Sequence, residues 1–132
     1  MKINVPMTIT FADVAKRQLT GRIVAWNEEG NTSVGRTMFA KDSIKIDKNV
    51  KLLLEHDRTR PIGKMIEAKV SDTDIVATFQ LAKTFSADDA LEEASTGLRD
   101  GFSVGAMINE WSNDNGVMLI TSADLEIGRA HV

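Results

Sequence analysis

Most apolar runs in this sequence alternate with polar residues, which is the period of a strand with one buried face. From Lys2 to Phe11, residues Ile3, Val5, Met7, Ile9 and Phe11 share one side. Pro6 within that run argues for an edge position, because proline cannot donate to a ladder. Leu19 to Trp26 reads as a second strand, Asn27 to Ser33 as a polar loop, and Arg36 to Phe39 as a short extended piece. Ala40 to Ile44 reads as a helical turn. Val50 to Leu54 reads as a buried strand that delivers His56 at its end. Arg58 to Pro61 reads as a loop, since the residue before proline is pushed out of the α region. Ile62 to Val70 and Ile75 to Leu81 read as a hairpin around Ser71 to Asp74, and Phe102 to Trp111 and Gly116 to Thr121 as two more strands.

One stretch breaks the alternation. Ala87, Ala90, Leu91, Ala94 and Leu98 recur at helical spacing, which predicts a helix over about 87–99. Ser86 followed by Asp89 resembles a capping box, acidic residues crowd the N-terminal half, Arg99 sits near the far end, and Gly97 or Gly101 supplies the stop. About seven strands with one late helix point to a β-rich α+β fold: a single domain with a mostly antiparallel, barrel-like sheet.

A chain of 132 residues is long enough for one real core and short for two. With 42% apolar and 27% charged residues it has the balance of a globular protein. A net charge of −3 without a dense Lys/Arg cluster predicts no nucleic-acid partner, and no apolar run approaches a membrane span. The absence of cysteine removes thiolate zinc sites and a cysteine nucleophile. The scattered acids suggest no metal site, no cofactor is expected, and the methionines read as core filler.

The chemistry-bearing candidates are few. Gly101-Phe102-Ser103-Val104-Gly105 matches G-x-S-x-G, but a nucleophile elbow needs a strand before the serine and a helix after it, and here the order is reversed. On this pentapeptide alone, a solvent-facing strand serine between permissive glycines is the commoner outcome. A serine nucleophile needs a base, and outside the last seven residues the only histidine is His56. A surface histidine with no task stands beside that reading.

Taken together, Leu52 to Asp57, Arg60 to Gly63 and Gly97 to Ala106 resemble the tailed-phage prohead proteases, a family related to the herpesvirus assembly proteases. The first blocks resemble the family's histidine motif and the last its serine motif, in the right order, and the similarity runs from about Gly21 to Leu125. The resemblance implies a serine endopeptidase with Ser103 as nucleophile and His56 as general base. It also implies a substrate, the major capsid protein with its scaffolding segment, cut inside the assembling prohead in the bacterial host cytoplasm. Self-cleavage and a homodimer are compatible with it.

The end of the chain departs from the family pattern. The family's third catalytic residue is expected on a strand continuing past Leu125, whereas here Glu126 to Val132 follow and resemble a sequencing-adapter read-through. The expectation is therefore a domain over 1–125, shortened at its C-terminus, and a non-native tail over 126–132. Glu126 falls one place from the family's acid and is only a weak candidate; a triad through His131 is set aside because that histidine lies in the tail. The alternative function is a non-catalytic capsid-assembly or scaffold-associated domain of the same fold, and a third reading is a generic β-rich binding module.

Overall fold

The computed structural model describes residues 1–46, 50–54, 57–98 and 101–126, with the backbone alone at 54, 57–60 and 126. The strands are β1 (Lys2–Asp13), β2 (Gln18–Ala25), β3 (Glu29–Thr32), β4 (Gly35–Phe39), β5 (Ile44–Ile46), β6 (Lys51–Leu54), β7 (Asp57–Val70), β8 (Asp74–Leu81), β9 (Phe102–Asp114) and β10 (Val117–Glu126). Between β8 and β9 lies one helix, α1 (Phe85–Ser95).

Six of the strands close on themselves in the order β1-β2-β8-β7-β6-β9, and β9 returns to β1, every neighbouring pair antiparallel. The β-rich, barrel-like expectation therefore holds. Closure removes the exposed edges that an open sheet would present. The interior is filled by one residue in two, as the pleat requires: Ile75, Ala77, Phe79 and Leu81 on β8, and Phe102, Val104, Ala106 and Ile108 on β9. Outside the ring, β10 continues the sheet from β9 and takes β4 and β5 in parallel along its far edge, with β3 beyond β4.

Several local expectations are corrected. The polar segment after Trp26 is not all loop: Glu29–Thr32 forms β3 against β4, braced by a two-pronged Arg36–Glu29 contact at 2.9 Å. With no apolar residue, it carries no readable alternation. In place of a helical turn at 40–44, the chain turns at Lys41–Asp42, where Asp42 has φ +62°, and enters β5. Arg58 to Pro61 is not a loop but the beginning of β7; a residue held extended by the following proline suits a strand as well as a turn. The β9–β10 turn is tighter than expected: Asn115 and Gly116 both have positive φ, the signature of a two-residue hairpin turn.

Helix α1 is shifted and shorter than predicted. Its N-cap is Thr84, whose Oγ1 accepts from the Ala87 N–H at 3.2 Å, so Ser86 lies inside the first turn. It stops at Gly97 (φ +78°), with Leu98 N–H donating to the Glu93 carbonyl and Gly97 N–H to Ala94, the paired bonds of a Schellman end. Leu98 is thereby thrown off the helix and is 81% exposed, while Ala87, Ala90 and Leu91 join the barrel core. Arg99 falls beyond the helix, outside the described residues.

β1 has a neighbour on each side, but pairing with β2 begins at Thr8, so at Pro6 only the β9 side is paired. The position is locally an edge, and its missing donor is accommodated. Asn4 accepts from Ser33 N–H at 3.2 Å and donates its own N–H to Ser33 Oγ at 2.8 Å, so its backbone polar groups face away from β9. Alternation gives Pro6 the same orientation, and the β1–β9 ladder asks nothing of its nitrogen.

Candidate functional site

Ser103 is the second residue of β9. Phe102 and Val104 on either side of it point into the barrel, which turns Ser103 to the outer face. It is nevertheless fully buried, with 0% exposure, which overturns the solvent-facing reading. Its Oγ is buried and has no hydrogen-bond partner among the described residues. A buried hydroxyl without a partner costs about 1–3 kcal/mol, and alanine at this strand position would avoid that cost. The position therefore carries a polar group that the fold itself does not need.

The register supplies its neighbours. Ser103 lies opposite Leu53 on β6 and Pro6 on β1, and Leu53 in turn lies opposite Pro61 on β7. This row, Pro61–Leu53–Ser103–Pro6, crosses four strands of the barrel wall. None of the three flanking side chains offers a hydrogen bond, so the hydroxyl sits in an apolar strip.

A cleft opens at each end of the row. Beside Pro6, β1 and β2 part over a space of about 230 Å³ lined by Arg22, Glu28, Asn31, Thr37 and Phe39 among others. Glu29 also lines it, its carboxyl held below the ordinary range chiefly by the hydrogen bonds from Arg36. Beside Pro61, a space of about 330 Å³ is bounded by Lys51, Gly63, Lys64, Gln80, Leu81 and Ala82.

The other sequence candidates stand as follows. His56 and His131 lie outside the described residues. The strand ends that flank 55–56 are described: Leu54 pairs with Asp57, and Leu54 also lies opposite Phe102, the neighbour of Ser103. Leu52–Leu54 of the histidine block and Phe102–Val104 of the serine block thus lie on adjacent strands of one barrel. Glu126 ends β10 with its Cα opposite Gly105, two residues from Ser103. On that edge of β9 the partner changes from β10 at Gly105 to β6 at Val104.

What sequence reasoning missed is the pair of clefts. Their lining comes from β1 to β4 for one and from β6, β7 and β8 for the other, and no spacing along the chain brings those residues together. Among the described residues no cluster of His, Asp and Glu suits a metal ion, and no helix is long and apolar enough to cross a membrane. No family model, curated protein or solved structure matches the chain.

Proposed function

We propose that this chain is a single-domain α+β serine endopeptidase of the prohead-protease type, with Ser103 as nucleophile and His56 as general base. The observation that carries the reading is the Ser103 hydroxyl, buried and unpartnered among the described residues on the strand next to the one that leads to His56. The resemblance of the two sequence blocks gives that hydroxyl its task.

In the proposed reaction His56 takes the Oγ proton as the oxygen attacks a peptide carbonyl, forming the Oγ–C bond. The C–N bond then breaks and the imidazolium returns its proton to the leaving amine. Water, deprotonated by the same imidazole, attacks the ester; as the Oγ–C bond breaks, the proton returns to Ser103 Oγ. The proposed substrate is the major capsid protein with its scaffolding segment, cut within the prohead in the host cytoplasm; cleavage of the protease itself and a homodimer belong to the same proposal.

One observation favours the alternative, a non-catalytic capsid-assembly domain: with no exposed surface at Ser103 or Leu53, a substrate reaches the hydroxyl only after the outer face opens. Co-expression with the capsid protein separates the two. The endopeptidase reading expects a shortened capsid protein with the wild-type chain and full-length protein with Ser103→Ala. Cleavage that survives Ser103→Ala excludes Ser103 as nucleophile, and no cleavage with either chain favours the assembly domain.

A further inference from the structure

Lys51 and Lys64 lie directly opposite one another on β6 and β7. Like charges in a cross-strand pair repel and destabilise a sheet. Neither lysine forms an ion pair with a described residue, although Lys41 and Lys69 both do. Both lysines line the cleft of about 330 Å³ at the Pro61 end of the Ser103 row. Its remaining surface is largely apolar, from Pro61, Leu81 and Ala82. Gly63 lets β7 and β8 approach closely beneath it: a Cβ there would stand 2.7 Å from the Gln80 carbonyl oxygen. The cleft therefore has the size and composition to take a peptide side chain with an apolar stem and a negative end.

Its position ties it to Ser103. Leu53 bridges the two, opposite Ser103 on one side and Pro61 on the other. Lys51 is two residues from Leu53 on the same face, so its Cα lies about 7 Å along the strand and about 5 Å across from Ser103. An extended peptide spans that distance between side chains on one side, two residues apart.

We infer that the Lys51–Lys64 cleft is an acid-selective subsite of the Ser103 centre, taking a Glu or Asp side chain of the peptide substrate. This rests on the proposed endopeptidase reading, and two readouts keep them separable. The probes are fluorescein-labelled peptide pools with randomised flanks and Glu, Gln or Lys at one fixed central position. Binding is measured by anisotropy on the full chain carrying Ser103→Ala, and cleavage by mass spectrometry on the wild-type chain.

The subsite predicts about fivefold to tenfold tighter binding of the Glu pool than the Gln pool, the scale of two partly exposed charge contacts. Lys64→Glu and Lys51→Glu, each checked for an unchanged circular dichroism spectrum, should abolish that preference, and the double reversal should favour the Lys pool. Lys64 is exposed on β7, so its reversal tests the point even if the half-buried Lys51 tolerates no change. Equal binding of the Glu and Gln pools, or a preference that survives both reversals, overturns the subsite. Cleavage of all pools at one rate keeps the Ser103 reading and discards the subsite. Acid-selective binding with no cleavage of any pool discards the Ser103 reading and, with it, the assignment of this cleft to a catalytic centre.

Discussion

Ser103 occupies a position where chemistry and stability pull in opposite directions. Its backbone is fixed by β1 on one side and β6 on the other, and its side chain is held among Pro6 and Leu53 with no hydrogen bond to a described residue. Ser103→Ala should therefore stabilise the protein, by about 1 kcal/mol, because it removes the unsatisfied oxygen at the cost of a very small void. Urea unfolding should show a higher midpoint at unchanged slope, alongside loss of capsid-protein cleavage. A lower midpoint would mean that the hydroxyl is bonded in the folded state and serves structure. From sequence, the serine was visible but its burial was not. The flanking glycines suggest open surroundings, whereas the neighbours that close over it come from residues about fifty and a hundred positions away.

At the scale of elements, α1 packs on the barrel through Ala87, Ala90 and Leu91, and one residue adds a polar tie. Arg17, in the β1–β2 turn with φ +56°, reaches Asp88 at 2.6 Å and also donates to the Ala82 carbonyl, while its own carbonyl accepts from Leu81 N–H at 2.9 Å. The guanidinium thus ties the first turn of α1 and the end of β8 to the hairpin opposite. Asp88 is about half exposed, so the ion pair itself contributes modestly, and the contact to a carbonyl adds to it. Arg17→Ala should cost about 1–2 kcal/mol in total. Hydrogen exchange should quicken in residues 85–95 more than in β8 or β9; a uniform change across the chain would contradict this role. The helix was legible because its apolar spacing is internal. Its ends were not, since Thr84 acts as the cap in place of the better-placed-looking Ser86, and Gly97 ends the helix before Leu98 completes the stripe.

At the scale of the whole molecule, the barrel depends on β9 returning to β1, a pairing of Lys2–Met7 with Phe102–Met107. Alternation makes each strand legible, but strand order is a matter of long-range register, and β3 lacks even the apolar residues that would mark it as a strand. The same closure sets Ser103 beside the strand that leads to His56, and sets a cleft at each end of its row. A serine-directed fluorophosphonate followed by peptide mass spectrometry tests the central claim most directly. If Ser103 is the nucleophile, a single covalent adduct forms on the peptide containing Ser103 and is lost in His56→Ala. An adduct on another serine, or unmodified Ser103 in a preparation that cleaves the capsid protein, would contradict it.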